Sequence, residues 1–533
     1  MQLPAVLQRP GLYWRTITHL RPEQLVHRVK LRALRVALRH QPELLLRAWS
    51  YTPASGRGWP SSARPLDAVL GRSAPSAEAN AQGRFSFLGI ELDLGHPPAW
   101  TPDAPLLWQY NLHYWEWAWS LVAHDEREWA RASYAELWQG WRRASPFGSW
   151  PAWAPYPVSL RAWAWCGQHG ALVAGRPEEP AFVASLAEHV SYLRHNLEYD
   201  VGGNHLVKNL KGLLGLAAFF HDQQLLDETL ERLEDQIDIQ VLPDGGHYER
   251  SPSYHCQVLG DLLDARGLLR ATGRPTKVLD DVIQAMQRWL GAMLTSGNEL
   301  AQMNDSWEVA ADAVALLQPT IGPQPSAVAL ASSGYVVLRN GRAQCTVDAG
   351  DPCPPDLPAH AQADCLSFEL AIDGRRVVVD PGTTTYEGPQ RAWERSTLAH
   401  NTVTIDGADQ TEVWGSFRAG RLAPAYLDHV ESGDEPVVVA HHTGYASLPG
   451  APIHRRRFRL RADSLEVTDE LAGTGRHVVS LAIEHVPLPA GRPLEITCPP
   501  QLHRRDEARA GRTRTVLTGE VQLPVAWTTS LRF

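Results

Sequence analysis

Apolar residues between positions 106 and 318 recur at the spacing of helices that bury one face. In one run, Val183, Leu186, Val190, Leu193 and Leu197 are separated alternately by three and four residues. The same spacing recurs in two later runs: Leu226, Leu230, Leu233 and Ile237, then Val278, Val282, Met286, Leu290 and Met293. Short connections containing Gly, Pro or Asp separate these runs. The sequence therefore predicts successive amphipathic helices that pair as antiparallel hairpins.

From Ser332 onward apolar residues recur at every second position, as they do in strands that bury one face. The clearest alternation of apolar and polar positions runs from Leu366 to Asp373. Further strand candidates lie at residues 377–379, 402–405, 437–440, 458–460, 465–468 and 478–482. Asp-Gly pairs at 373–374 and 406–407 are typical of hairpin turns. No helical run intervenes, so this half is predicted to be antiparallel β structure, most simply stacked sheets.

These patterns divide the chain into three predicted parts: a mixed N-terminal segment at 1–105, a helical domain at 106–325 and a β domain at 326–533. The N-terminal segment holds a basic helical stretch at 24–39, a loop at 52–83 and a short strand at 85–94. We expect it to pack on the helical domain. The last boundary falls in the Pro-rich segment 318–325.

Composition and charge exclude several classes of protein. The 533 residues exceed one ordinary domain, and a hydrophobic content of 44% excludes a disordered chain. The formal charge of -9 argues against a dedicated nucleic-acid binder, whose affinity comes from Lys and Arg at phosphates. The six cysteines are scattered, and no two of them form a Cys-x-x-Cys pair, so neither a zinc ribbon nor a disulfide framework is predicted. We find no signal-peptide pattern and no membrane span, so we expect a cytoplasmic rather than a periplasmic protein.

Tryptophan is unusually frequent in the first third of the chain. Most of the 20 tryptophans lie between Trp14 and Trp165. Such rings can form an ordinary core. They can also line a carbohydrate cleft, because the C–H faces of sugars stack on aromatic rings.

Polar and aromatic residues gather where predicted helices and strands begin. The candidates in the helical half are Tyr110, Asn111, His113, Tyr156, Arg161, Asn204, His205, Tyr254 and His255, and those in the β half are His360, Arg391 and Arg395. Taken singly, each has a structural explanation: Asn204 can cap a helix, and Tyr254 can be a packed aromatic ring. Together they are the set that one ligand cleft, lined by both halves, would collect.

This set of side chains suits one type of reaction in particular. Asn, His and Arg can neutralise a carboxylate, while Tyr and His can exchange protons. In β-elimination from a uronic acid, the C5 proton is removed and preorganised donors stabilise the enolate-like charge. A general acid then protonates the departing 4-O oxygen. The reaction requires neither paired carboxylates nor a redox cofactor.

At these residues the sequence resembles the heparinase II/III family of polysaccharide lyases. The resemblance spans most of the chain and is carried by residues 111–114 (NLHY), 204–206 (NHL), 247–255 (HYERSPSYH), 360–370 (HAQADCLSFEL), 380–382 (DPG) and 400–403 (HNTV). It implies an incomplete (α/α) toroid followed by an antiparallel β-sandwich, in agreement with the change in hydrophobic spacing.

The resemblance also implies roles for individual residues. Asn204, with His205 beside it, would neutralise the uronate carboxylate. Tyr254 would act as general base, general acid or both, and His360 would be its partner from the β half. Tyr248 is an alternative to Tyr254, although the Ser-Pro-x-Tyr-His context favours Tyr254. The remaining candidates for binding the substrate are Tyr110, Asn111, His113, Tyr156, Arg161, His255 and either or both of Arg391 and Arg395.

One position departs from the family pattern. Relatives often have His-x-His-x-x-Asp where this chain has Gln362 in place of the second His, which ligates a structural zinc in those relatives. Asp380 and His400 match the other two ligands, but Gln is a poor zinc ligand beside them. Three outcomes remain open: a weak zinc site, another divalent ion such as calcium, or a hydrogen-bonded Gln–Asp–His cluster.

The leading hypothesis is a lyase acting on an anionic polysaccharide or oligosaccharide, in degradation or in exopolysaccharide production. A glycoside hydrolase is the second hypothesis, since toroids also host hydrolases; its two carboxyl groups would come from Asp244, Glu249 and Asp305. The third is a non-catalytic glycan-binding protein of a polysaccharide assembly system. Its working surface would be the Trp-rich first third.

Overall fold

A computed structural model describes residues 10–53, 57–63, 65–66, 76–318, 322–489, 491–509 and 511–533. Packing divides the chain into two units. Unit 1 is built from the described residues of 1–20, 239–259 and 284–533, and unit 2 from those of 21–238 and 260–283. Each unit therefore combines separate stretches of the chain, whereas each of the three parts predicted from the sequence is one continuous stretch. The predicted loop at 52–83 and the boundary segment at 318–325 lie partly outside the described residues.

Helices occupy most of the described chain before residue 318. In chain order they are α1 (Pro10–Ile17), α2 (Pro22–His40), α3 (Pro42–Ala48), α4 (Ala77–Ala81), α5 (Leu106–Tyr114), α6 (Trp119–Val122), α7 (Arg127–Ala144), α8 (Pro155–Leu172), α9 (Glu179–Leu193), α10 (Gly203–Phe219), α11 (Gln223–Gln240), α12 (Pro252–Ala271), α13 (Lys277–Met293), α14 (Ala311–Leu317) and α15 (Gly388–Glu394). The three predicted helical runs are confirmed as α9, α11 and α13, and the basic segment as α2. Leu197 of the first run lies beyond the end of α9.

Unit 2 packs around tryptophans and two closely spaced helices. Trp115, Trp141 and Trp165 are fully buried, and their rings meet edge to face. Helices α8 and α10 approach closely at Gly212, where a Cβ atom would lie 2.7 Å from the carbonyl oxygen of Ser159. Of the two roles open to the tryptophans, these rings take the core role. Within the described chain, no helix is both long and apolar enough to cross a membrane.

Apart from one short hairpin, the strands lie in the described chain after residue 318. They are β1 (Arg84–Phe87), β2 (Ile90–Asp93), β3 (Ala327–Leu330), β4 (Tyr335–Asn340), β5 (Ala343–Asp348), β6 (Phe368–Ile372), β7 (Arg375–Val378), β8 (Val403–Ile405), β9 (Val413–Trp414), β10 (Arg418–Ala419), β11 (Ala425–Glu431), β12 (Val437–His442), β13 (Ile453–Leu460), β14 (Ser464–His485), β15 (Glu495–Ile496), β16 (His503–Arg509) and β17 (Arg512–Arg532). In unit 1, thirteen described strands join one antiparallel sheet, with the order β11-β12-β13-β14-β7-β6-β5-β4-β3. Strands β8 and β17 pair with β14, and β15 and β16 pair with β17. A core of Val, Leu, Ile and Phe side chains lies on this sheet.

Two strand predictions were wrong in detail. The candidates at 465–468 and 478–482 are parts of one strand, β14, which spans Ser464–His485. Its Gly-containing middle forms an irregularity between Leu471 and Gly475 instead of a turn. The strand predicted at 85–94 is the hairpin β1–β2, because Leu88 and Gly89 adopt positive φ and reverse the chain. The predicted Asp-Gly turn at 373–374 is confirmed between β6 and β7.

Candidate active site

Tyr254 lies in the first turn of α12, after a loop that neighbouring hydroxyl groups hold in place. Ser251 Oγ donates to the carbonyl oxygen of Asp305 at 3.0 Å and lies 2.9 Å from Ser306 Oγ. The backbone N–H of Ser253 donates to Ser306 Oγ at 3.3 Å. The start of α12 is therefore fixed against residues 305 and 306.

The Tyr254 side chain contacts polar and aromatic groups. Its hydroxyl lies 2.9 Å from that of Tyr386, and its ring lies against His360 with 4.0 Å between centroids. Trp307 meets the same ring edge to face. Burial raises the pKa of Tyr254 well above its ordinary value, and nearby Tyr386 and Asp305 raise it further. The phenol therefore keeps its proton at neutral pH and is placed to donate it.

His360 faces two buried carboxylates in unit 1. Its Nδ1 lies 3.0 Å from Asp305 Oδ2, and its Nε2 lies 3.6 Å from Glu249 Oε2. When Asp305 accepts the hydrogen of Nδ1, the ring is oriented and Nε2 is left to exchange a proton. Glu249 is placed to stabilise the imidazolium that forms when Nε2 takes one.

Asp305 stays ionised in this cluster. Both terminal nitrogens of Arg391 donate to it, at 2.5 and 2.6 Å, and Gln362 Nε2 donates at 2.8 Å. Burial alone would raise the pKa of Asp305. The hydrogen bond from His360 and the charge of Arg391 outweigh that effect and lower the pKa to about 2. Asp305 therefore acts as a permanent acceptor for His360.

Both arginines predicted to bind the acidic sugar are buried and already bonded to the protein. Arg391 is 1% exposed, clamps Asp305 and lies over the ring of Tyr386, 5.1 Å from its centroid. Arg395 is also 1% exposed. Its guanidinium donates to the backbone carbonyls of Ala361, Gly415 and Arg418. Both guanidinium groups therefore hold parts of unit 1 together, and their predicted contact with substrate stays a prediction.

Tyr386 belongs to the cluster but is not among the residues predicted from the sequence. The loop that carries it is tied to α15 through the buried Glu394. This carboxylate accepts hydrogen bonds from the backbone N–H and hydroxyl of Thr384, and from Gln390 Nε2 at 3.0 Å. No sequence motif marks Tyr386, because its position depends on these tertiary contacts.

In unit 2, the predicted pair Asn204 and His205 begins α10. Gly202 and Gly203 precede them with φ of 72° and 57°, in the left-handed region that glycine adopts without strain. Asn204 is buried, whereas the His205 side chain is 35% exposed. The first turn of a helix favours a negative charge nearby, because its backbone N–H groups have no carbonyl acceptor within the helix.

His205 lies between a carboxylate and an aromatic ring. Its Nδ1 is 3.2 Å from Glu198 Oε1, and its ring centroid is 4.4 Å from that of Tyr156. Asn209 Nδ2 donates to the other oxygen of Glu198 at 2.9 Å. Burial raises the pKa of Tyr110, and the charge of Glu198 adds to the effect. Of the predicted residues, His205 therefore contacts both Glu198 and Tyr156, and Tyr110 lies within reach of the Glu198 charge. Glu198 is not among the residues predicted from the sequence.

His113 and Arg161, predicted to bind substrate, lie inside the tryptophan core. His113 Nδ1 accepts a hydrogen bond from Trp141 Nε1 at 3.1 Å, and burial lowers its pKa to about 3. Arg161 donates to the carbonyls of His113 and Ala152 and lies over the Trp141 ring, 4.5 Å from its centroid. Both side chains are fully buried. They connect α8 with α5 and α7 inside the core, and their predicted contact with substrate stays a prediction.

Three further candidates are also engaged within the fold. His255 stacks on Trp289 at 4.2 Å between centroids, and burial lowers its pKa to about 3. Asn111 Nδ2 donates at 2.8 Å to a backbone carbonyl one turn earlier in α5. Tyr248, the alternative to Tyr254, is buried and packs edge to face on His247.

The predicted metal ligands pair with protein groups. Gln362 Nε2 donates to Asp305 and, at 3.2 Å, to the carbonyl of Gly382. His400 Nδ1 lies 2.9 Å from Asp380 Oδ2. Gln362 Oε1 and His400 Nε2 are buried without a hydrogen-bond partner in the described chain, but an amide oxygen and one imidazole do not make a zinc site. Across the described residues, no group of three or more His, Cys, Asp or Glu is placed to hold a metal. The residues present therefore do not fit the implied zinc.

Comparison with known proteins gives matches along most of the chain. Residues 107–318 match the family model described as heparinase II/III N-terminus, and residues 322–513 match the one described as heparinase II/III-like, C-terminal. A heparin-sulfate lyase of Bacteroides stercoris is 24% identical over 346 residues, covering 57% of this chain and 49% of that protein. FtsZ-localized protein C of Caulobacter vibrioides is 29% identical over 263 residues, covering 47% and 44%.

The fold is similar to that of solved lyase structures. A crystal structure of heparinase III superposes with a TM-score of 0.67 and 17% identity, covering 96% of this chain and 91% of that one. At this identity the likeness concerns the fold. The sequence alignments span about half the length of the curated relatives, between 44% and 59%.

Proposed function

Because the chain belongs to the heparinase II/III family, we propose that it is a polysaccharide lyase that cleaves a uronic-acid-containing polysaccharide by β-elimination. One observation carries this proposal. A protonated phenol, Tyr254, lies against an imidazole, His360, whose orientation an ionised Asp305 fixes. This arrangement supplies an acid and a base without a pair of catalytic carboxyl groups.

The geometry suggests how the protons move. His360 Nε2 takes the C5 proton of the uronate, and the electron pair of that C–H bond forms the C4=C5 double bond. The C4–O4 bond breaks, and the Tyr254 hydroxyl donates its proton to the departing O4 oxygen. Glu249 stabilises the imidazolium, and the Tyr386 hydroxyl orients that of Tyr254. Before the next turnover the His360 imidazolium releases a proton to solvent, and the Tyr254 phenolate takes one up.

We also infer that the helices of unit 2 correspond to the incomplete (α/α) toroid, and the sheet of unit 1 to the β-sandwich. Helical runs joined by short connections support the first assignment. The thirteen-stranded antiparallel sheet with its apolar core supports the second.

Two observations weigh against hydrolysis. A hydrolase needs one protonated carboxyl group and one free carboxylate, but Asp305 is ionised, 0% exposed and held through both oxygens by Arg391 and His360. Asp244 Oδ2 already accepts hydrogen bonds from the backbone N–H and the hydroxyl of Ser333. Of the three predicted carboxyl groups, this leaves only Glu249, whereas the mechanism requires two.

A substrate screen tests the proposal. The protein is incubated with heparan sulfate, hyaluronan, chondroitin, alginate, polygalacturonate and bacterial exopolysaccharides, while ultraviolet absorbance and reducing ends are recorded. A lyase generates both signals, because the new C4=C5 double bond is conjugated with the carboxylate. Reducing ends without absorbance would show hydrolysis and overturn the proposal. Saturable binding with neither signal would indicate a glycan-binding protein.

Asn204→Ala tests the predicted neutralisation of the uronate carboxylate. We expect kcat to fall by about a hundredfold, because the enolate-like charge loses a preorganised donor. The fall is measured on the substrate that the screen identifies, with thermal unfolding to verify the fold. Asn80→Ala, which replaces another buried helical asparagine in α4, is the matched control and should leave kcat unchanged. An unchanged kcat in Asn204→Ala would contradict this role.

We further propose that the chain works without a resident metal, because Gln362 and Asp380 are paired with protein groups. Elemental analysis of the purified protein should find much less than one equivalent of zinc or calcium. Treatment with a chelator should change neither the unfolding temperature nor the activity. Activity that is lost on chelation and restored by one metal would contradict this proposal.

A further inference from the structure

Helix α2 has an apolar outer face that the described residues of the fold leave exposed. Val26, Val29 and Val36 are 67%, 70% and 60% exposed, and Ala33 is exposed between them. At 3.6 residues per turn, these four positions lie within an arc of about 80°. The opposite side of the helix carries its buried residues, Gln24, Leu31 and Leu38. The valines thus form a continuous stripe, which differs from the scattered apolar residues of an ordinary surface.

Basic side chains flank this stripe. Lys30 and Arg32 lie about 40° beyond its two edges, and Arg39 lies on the same side as Arg32. All three are exposed, and in the described structure none takes part in an ion pair. The helix carries a single acidic residue, Glu23. A chain with a formal charge of -9 therefore concentrates positive charge beside its apolar stripe.

Two other arginines of α2 have a different role. Arg28 Nη2 donates to the carbonyl oxygen of Asp200 at 3.3 Å. Arg35 lies over the ring of Trp150, 4.7 Å from its centroid. These contacts attach the inner side of α2 to the rest of unit 2. They leave the valines and the flanking charges facing outward.

We propose that the outer face of α2 binds the surface of an anionic phospholipid bilayer. An interfacial helix needs a stripe of apolar side chains that enter the headgroup region and cations beside it that contact the lipid phosphates. The outer face of α2 supplies both. An anionic polysaccharide would use the charges but gain nothing from the valines. A second copy of the chain would bring like charges together. The bilayer is the partner that uses every feature of this face.

Vesicle sedimentation tests the proposal with the full chain. We expect the protein to bind phosphatidylcholine vesicles that contain phosphatidylglycerol, more weakly as salt is raised, and to bind pure phosphatidylcholine poorly. Val26→Gln/Val29→Gln/Val36→Gln keeps the charges, and Lys30→Gln/Arg32→Gln/Arg39→Gln keeps the valines. Each triple variant should bind the anionic vesicles about tenfold more weakly, because the two contributions act together. Gln is a good helix former, and all six side chains are exposed, so both variants should fold.

Matched controls make the test specific. Val278→Gln/Ile239→Gln/Leu316→Gln removes three exposed apolar side chains from other helices, and Arg143→Gln/Arg232→Gln/Arg288→Gln removes three exposed charges. Both controls should bind as the wild type does. Absence of vesicle binding by the wild type would overturn the proposal. So would vesicle binding that depends on the charges but not on the valines, because the apolar stripe would then take no part in it. A change from dimer to monomer on removal of the valines, measured by sedimentation velocity, would instead assign the face to self-association.

Discussion

Tyr254→Phe is expected to lower kcat by about a thousandfold while leaving the fold intact. The substitution removes one hydroxyl group and with it the proton that the departing O4 oxygen needs. The phenyl ring still packs against His360 and Trp307, so the surroundings are preserved. The lost hydrogen bond to Tyr386 should cost stability by only about 1 kcal/mol.

The measurement is the initial rate of absorbance increase on the substrate that the screen identifies, with KM determined separately. Because Tyr254 acts on the transition state in this mechanism, KM should change little. Tyr248→Phe is the matched control: it removes a hydroxyl group from a buried tyrosine in the loop that precedes α12 and should retain most of the activity. Activity that survives in Tyr254→Phe but is lost in Tyr248→Phe would reverse the assignment. Tyr386→Phe should lower kcat less than Tyr254→Phe, because Tyr386 orients the acid and donates no proton to substrate.

Hydrophobic spacing predicts the secondary structure well where local pattern decides it. Helices α9, α11 and α13 each bury most of one apolar stripe, so the spacing of their residues indicates a helix, although Val278 at the start of α13 is 44% exposed. Strand β14 shows the limit of this approach. Its central Ala472-Gly473-Thr474-Gly475 has the composition of a turn, but continuous pairing with β17 on both sides keeps the chain extended. Only the tertiary context separates a bulge from a turn in such a sequence.

Sequence motifs predicted the two central side chains of the cluster better than the side chains around them. Tyr254 and His360 lie far apart in sequence, and both were predicted. Tyr386 was missed, because a loop tied to Glu394 places it. Arg391 was predicted as a substrate ligand, since Arg commonly binds carboxylates. In the structure it binds a carboxylate of the protein itself, Asp305. A sequence shows which charged side chains are present, but long-range packing decides which of them remain free to bind a ligand.

Asp305→Asn is expected to destabilise the protein by about 3 to 5 kcal/mol and to lower kcat by about a hundredfold. The amide no longer balances the charge of Arg391, which is 1% exposed and has no route to solvent. The amide NH2 group of residue 305 also faces one of the groups that donated a hydrogen bond to the carboxylate. His360 then loses its fixed orientation, which lowers kcat. Urea unfolding at neutral pH measures the first effect, and kinetics at low temperature, where the variant is folded, measure the second.

Acid titration gives an independent signature of the same residue. The pKa of Asp305 is lowered from its ordinary value of 3.8 to about 2, so its stabilising contribution is complete above pH 3.8. It is lost as pH falls toward 2 and amounts to about 2 kcal/mol. The unfolding free energy of the wild type should therefore fall over that interval by about this much more than that of Asp305→Asn. Parallel curves for the two proteins would show that Asp305 does not titrate as the ion pair requires.

A double variant separates stability from catalysis at this site. In Asp305→Asn/Arg391→Met no uncompensated charge is buried, so most of the lost stability should return. The activity should not return, because His360 still lacks its carboxylate acceptor. Gln362 keeps a polar partner in the amide of residue 305, so the loop around it should remain folded. If the double variant recovers kcat together with stability, Asp305 stabilises the fold without positioning His360, and Glu249 becomes the carboxylate on which the imidazole depends.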